Sequence, residues 1–244
     1  MRGKQKLFSL MAASALVVLS LFSAPTIATA VTTNLNVGES INLKTVLDSN
    51  LSVWIGDKVF ESFSWNPILI LGSDVDAVAS NVNLKAISNL NGIGFRLEFQ
   101  LPMTVGDFDI KEIGFQYKVA VTNSPNLISD LHLSVVGSSA GGAIWSVSET
   151  AHTGGFGGGL VGDVDASSST YASSSNNIVP PQAALWIEKD IIAAGTFNED
   201  GFSDDFASIS SIEQTFSQIP EPSTALLVGL GLLGVVAVNR KRKS

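Results

Sequence analysis

The chain has 244 residues, no cysteine and a formal net charge of −8. Without cysteine it can form neither disulfides nor thiolate sites, so a folded domain must be held by burial and hydrogen bonding. Residues 1–30 and 219–244 hold seven of the 14 Lys and Arg, which leaves seven cations against 21 acids in between, a body of net charge −14. Such a surface repels nucleic acid and anionic lipid and suits solubility, cations or cationic partners.

Arg2, Lys4 and Lys6 precede a mostly apolar run from Leu7 to Phe22, followed by Pro25 and Ala28-Thr29-Ala30. A positive start, an apolar core and a small-x-small site are the layout of a secretory signal peptide, here residues 1–30. Ala28 and Ala30 form the signal peptidase site, and the mature chain starts at Val31. A retained anchor would need neither the small-residue site nor the helix-breaking proline ahead of it. The expectation is export.

Residues 31–218 number 188, enough for one domain with a sizeable core. Ser40 to Asp48 has Leu43, Val46 and Leu47 at helical spacing, with Ser40 as a plausible N-cap, and predicts a short helix or turn. Leu51, Val53 and Ile55 then alternate as a strand. In Gly92 to Leu101, Ile93, Phe95, Leu97, Phe99 and Leu101 share one face, while Arg96, Glu98 and Gln100 share the other. Ile113, Phe115, Tyr117, Val119 and Val121 repeat this against Gln116 and Lys118; Leu131, Leu133 and Val135 alternate with His132 and Ser134. Weaker strands follow around Ala143–Ala151, Ala184–Ile192 and Phe206–Phe216. Half-buried alternation between turn residues predicts an all-β fold, an antiparallel two-sheet sandwich or jelly roll of about eight to ten strands. A single barrel is the nearest competitor, and a β-solenoid lacks its fixed repeat.

From Thr153 to Asn177 the composition turns to glycine and serine, with Gly154-Gly155-Phe156-Gly157-Gly158-Gly159 at its start. This predicts a flexible or hairpin-like excursion from the same domain, ended by Pro180-Pro181. Ser217 to Thr224 reads as a short stalk.

The last segment has three physical parts in order. Pro220-Glu221-Pro222 is stiff and polar, Ala225 to Val238 is an apolar run of 14 residues, and Arg240, Lys241, Arg242 and Lys243 form a basic cluster. Even taken as 224–238, the run is short for a bilayer core, which usually needs about 20 helical residues. It spans only with snorkelling cations, local thinning or a partner helix, for which Gly229, Gly231 and Gly234 leave room. The basic end stays cytoplasmic, which puts the body on the far side of the membrane. These residues, 219–244, resemble the PEP-CTERM sorting signal of Gram-negative bacteria. The resemblance implies recognition by an exosortase, a membrane-embedded cysteine protease-like enzyme, and a precursor held transiently or anchored at the inner membrane before display or release. Within the body, Gly56-Asp57-Lys58-Val59-Phe60 with Phe63 resembles a segment near the mature start of many such proteins. Ile187-Glu188-Lys189-Asp190-Ile191 and Ile209 to Gln218 resemble its companions near their end.

No catalytic constellation stands out. His132 and His152 are the only histidines, and with serines and carboxylates everywhere neither marks a triad; no Gly-x-Ser-x-Gly elbow fixes a nucleophile. A surface histidine explains each. Asp163 and Asp165, like the pairs Asp74/Asp76 and Asp107/Asp109, have the two-residue spacing that sets hard oxygen donors on one side of an extended chain, as a weak extracellular calcium site requires. No EF-hand loop or calcium β-roll repeat completes them, and solubilising turns explain them as well. Trp54 and Trp186 share strand parity with polar neighbours, as in an aromatic platform for sugars; the competing reading is plain burial. The expectation is an exported, non-enzymatic surface or matrix protein without cofactors, contributing to exopolysaccharide or biofilm structure. The alternative is a carbohydrate-binding or adhesive module, calcium-assisted or not. Its partners are then signal peptidase, exosortase, the inner membrane and extracellular polysaccharide.

Overall fold

The computed structural model describes residues 31–122, 125–169, 172–196 and 205–220. The signal segment 1–30 and residues 221–244, with the expected membrane helix 224–238 and basic cluster, lie outside the described residues. No helix among the described residues is long and apolar enough to cross a membrane.

Thirteen strands among the described residues, numbered in chain order, form two sheets. The first runs β1 (Thr32–Asn34), β3 (Ser52–Ile55), β4 (Lys58–Leu71), β7 (Ile110–Val121), β12 (Ala184–Ala194), β9 (Ile144–Thr153) and β10 (Gly159–Ser167). The second runs β11 (Ser173–Gln182), β8 (Asn126–Ala140), β13 (Phe206–Pro220), β6 (Gly92–Val105), β5 (Val82–Asn89) and β2 (Ser40–Asn42). Every pairing is antiparallel except β1 with β3. The two inner faces close on one core, the sandwich that period-two patterning predicts.

Phe95 and Leu97 on β6, Ile113 to Val119 on β7, and Leu131 to Val135 on β8 bury their apolar residues and turn Arg96, Gln116, Lys118 and His132 away. At the centre lie Phe60, Phe63, Phe95, Phe115, Tyr117 and Phe216. Phe60 and Phe95 meet edge to face at 5.2 Å between centroids, and Phe95 and Tyr117 at 5.0 Å, a geometry that the ring quadrupoles favour. The segments around Phe60 and Phe216, far apart in sequence, thus meet in the core.

Several expectations change. The short helix is α1, Leu43–Asp48, and its N-cap is Asn42, whose side chain accepts from Lys44 N; Ser40 instead starts β2. Leu101 is exposed although its parity faces inward, because β6 there has passed its last rung with β5 and lies in a register shift against β13. Of the two readings of segment 153–177 the hairpin holds and the flexible loop does not: β10 pairs back antiparallel on β9. Residues 154–158 form its first turn, where Gly154 and Gly157 take left-handed φ of 78° and 67°, and a second turn begins at Ser168 after β10. β10 and β11 follow on opposite sheets as edge strands, with Val164, Ala166 and Ile178 as their buried residues. A Cβ on Gly162 would stand 2.6 Å from Ile178 Cδ1, so the glycine lets these strands approach. Pro180 and Pro181 belong to β11, an edge strand that tolerates missing N–H groups. The expected stalk starts later as well: β13 stays paired to β8 through Pro220, opposite Asn126.

Candidate functional site

The outward face of the first sheet carries a groove of about 510 Å³ across β4, β7, β12 and β9. Its side chains follow from register. One row places Ser64, Gln116, Glu188 and Thr150 abreast; the next places Asn66, Gly114, Asp190 and Ser148 abreast. β4 is bulged on both sides, between Glu61 and Ser64 and between Pro67 and Leu69, which bends that wall and re-aims its side chains. Gly114 keeps the floor low: an added Cβ would lie 3.4 Å from Ile68 Cδ1.

The groove is acidic. Asp190 is held above its ordinary value of 3.8, first by burial and then by the charge of Glu112, and its Oδ1 has no hydrogen-bond partner among the described residues. Glu188 Oε1 accepts from Gly157 N at 2.7 Å, which ties the glycine turn to the rim. His152 closes the same corner, with Nδ1 3.2 Å from Gly158 O and Nε2 3.0 Å from Thr150 Oγ1. In the adjoining row Lys118 Nζ donates to Glu61 Oε1 at 2.7 Å and lies 5.4 Å from the Trp186 ring centroid.

A raised carboxylate value means that the folded state holds the proton more tightly than the unfolded chain does. Asp190's contribution to stability is therefore fully present below pH 3.8 and is lost as pH rises through its folded value. Asp190→Asn should make the domain more stable than the parent at neutral pH, with the difference shrinking in acid. Urea midpoints of both proteins from pH 3 to 7 check this, and parallel curves would contradict it.

The sequence-predicted residues fall in different places. Trp186 is half-buried beside the groove. Trp54 is half-buried on the same outward face, but β4 and β7 separate β3 from β12, so the rings stand roughly 14 Å apart at about 4.8 Å per strand. They form no continuous platform. Asp163 and Asp165 point outward on β10, opposite Thr150 and Ser148, and Asn176 Nδ2 donates to Asp163 O at 2.9 Å. No group of three or more acids and histidines converges on a metal position among the described residues. His132, on the outward face of the second sheet, pairs with Asp130 at 3.1 Å, and Asp130 Oδ1 also accepts from Ser217 N. Of the sorting residues, Pro220 ends β13; Glu221, Pro222, Arg240, Lys241, Arg242 and Lys243 lie outside the described residues, as do Ala28 and Ala30.

Sequence reasoning missed Ser64, Asn66, Gln116, Thr150 and Asp190 as groove residues. Strand parity could have put Gln116 with Glu188 and Asp190 on outward faces, but not on neighbouring strands.

Fold and groove define an antiparallel two-sheet sandwich with an open, polar, acidic depression on one face. Its end carries an address: residues 218–243 match the family model of the PEP-CTERM protein-sorting motif. No curated protein matches the chain. Among solved structures it is similar to TmCBM61 in complex with beta-1,4-galactotriose, with a TM-score of 0.32 and 7% sequence identity over 64% of this chain and 89% of that one.

Proposed function

We propose that this is an exported, exosortase-processed surface protein, without catalytic activity, whose sandwich binds extracellular polysaccharide in the groove of the first sheet and so contributes to matrix structure. The observation that carries this reading is the groove's lining. Hydroxyl, amide and carboxylate groups at strand spacing match the repeating hydroxyls of a sugar chain, and Asp190 Oδ1 lacks a donor that such a ligand would supply. Charge narrows the choice. Each of the seven cations in residues 31–218 already has an acidic partner within ion-pair distance. The surplus acids therefore favour a neutral or amine-bearing glycan over a uronic-acid polymer.

The test is a polysaccharide-array screen of the mature domain with and without calcium. Expected is retention of neutral or amino-sugar polymers, weakened about tenfold or more by Asp190→Asn, since one hydrogen bond to a charged group contributes about 1.5–3 kcal/mol, and about twofold to tenfold by Gln116→Ala, whose neutral bond contributes about 0.5–1.5 kcal/mol. Absence of binding to every glycan under both conditions refutes the reading. Binding that both variants leave unchanged refutes the groove as its site.

A further inference from the structure

The core face of β12 carries a lysine. Lys189 lies between Ile187 and Ile191 in the inward register, and its side chain is 0% exposed. Directly opposite on β9 is Glu149, also 0% exposed, in ion-pair contact with Lys189 Nζ and with no hydrogen-bond donor of its own among the described residues. From the other sheet comes Gln214 of β13, fully buried, whose Oε1 accepts from Lys189 Nζ at 2.6 Å. Its Nε2 has no partner among the described residues. Lys58 and Lys111 are buried as well, but their partners Asp57 and Asp76 keep 31% and 11% side-chain exposure, whereas Lys189 meets an acid and a carboxamide that are both fully enclosed, with Phe115 in the adjoining register.

Two facts make this more than a buried ion pair. A carbonyl bond is about 1.23 Å long, so Nζ lies no farther than about 3.8 Å from Cδ of Gln214, close to the separation of reacting atoms in a near-attack arrangement. Burial also holds the Lys189 amine well below its ordinary value of 10.5, which favours the neutral, nucleophilic form.

We propose that Lys189 and Gln214 become joined by an intramolecular isopeptide bond inside the folded core, with Glu149 as the proton relay. The Nζ lone pair attacks Cδ, and the Nζ–Cδ bond forms as the Cδ–Nε2 bond breaks. The proton that Nζ loses passes through the Glu149 carboxyl to the departing nitrogen. Amine plus carboxamide gives a secondary amide plus ammonia, with no oxidant, reductant or cofactor. The bond links interior strands of opposite sheets, β12 and β13, and closes the segment between two residues 25 apart. In a chain without cysteine it supplies the covalent staple that disulfides give other exported domains.

The experiment is intact mass and peptide mapping of the exported domain after full denaturation. The expected mass is one ammonia below that of the sequence, with a branched peptide in which Lys189 is joined to Gln214 and resists cleavage at Lys189. Glu149→Gln, which keeps the shape but removes the relay, should give the full mass and two linear peptides, as should Lys189→Met. A parent protein that yields the full mass and linear peptides overturns the proposal. So does loss of water with Lys189 joined to Glu149, or loss of ammonia without the branched peptide. The parent measurement decides even if a variant fails to fold, and it is independent of any glycan binding.

Discussion

Lys189→Ala is expected to destabilise the folded domain by about 3–5 kcal/mol, the range for removing one partner of a buried pair. The magnitude follows from what is left behind. Glu149 is enclosed by the core and has Lys189 as its one ion-pair partner among the described residues, so the variant strands an acid with no donor. Gln214 Oε1 loses its donor at the same time, a further penalty of about 1–3 kcal/mol if water cannot enter. For a domain of this size, about 2–4 °C per kcal/mol turns the pair's loss into a fall of about 6–20 °C in thermal midpoint. A midpoint within about 2 °C of the parent would show that the site is hydrated or dispensable.

A second variant identifies the cause. Lys189→Met combined with Glu149→Met leaves no charge in the core and keeps most of its volume, and such replacements are often neutral or stabilising. The double variant should therefore recover the part of the loss that the stranded acid causes. The remainder measures Gln214 and the covalent link together. Recovery would assign the cost to the stranded acid; no recovery would assign it to the staple.

The sandwich was legible because its central strands are regular. β6, β7 and β8 alternate over long runs, and the apolar residues buried along their central stretches are those that parity selects. Edge strands were not legible. β11 buries Ile178 alone among its ten residues, so Ser173 to Asn177 carried no apolar signal and read as a loop. The bulges in β4 hid its length, since a register shift reverses parity midway and puts Trp65 and Ile70 inward in different phases. The groove was less legible still. Its residues come from four strands, and β12 lies between β7 and β9 although it follows them in sequence. The buried cluster of Lys189, Glu149 and Gln214 was hidden for another reason: parity places Lys189 inward, but apolar patterning treats an inward lysine as an error rather than a site. The segments around Lys189 and Gln214 read in sequence as weak strands and as a family resemblance, and the fold brings these two residues into contact.

Replacing Pro220-Glu221-Pro222 by three alanines should leave the chain as an unprocessed, membrane-held precursor, an all-or-none effect on maturation. For Pro220, the one of the three among the described residues, the structure argues against misfolding as the competing explanation. The last rungs of β13 pair Gln218 with Ile128, Ile219 with Leu127 and Pro220 with Asn126, while its pairing to β6 ends at Phe216. Pro220 thus sits at a strand end with a neighbour on one side only, where a missing N–H leaves little of the ladder unmade. Alanine keeps the extended backbone there, so the sandwich should persist with unchanged β-sheet circular dichroism. The matched sorting motif begins at residue 218, inside this strand, so the folded domain and the address share three residues without a spacer. Recognition must then occur directly beside the sandwich. The measurement is intact mass together with the membrane and released fractions of parent and variant. A variant with the parent's mature mass and location would show that the tripeptide is not what the processing enzyme reads.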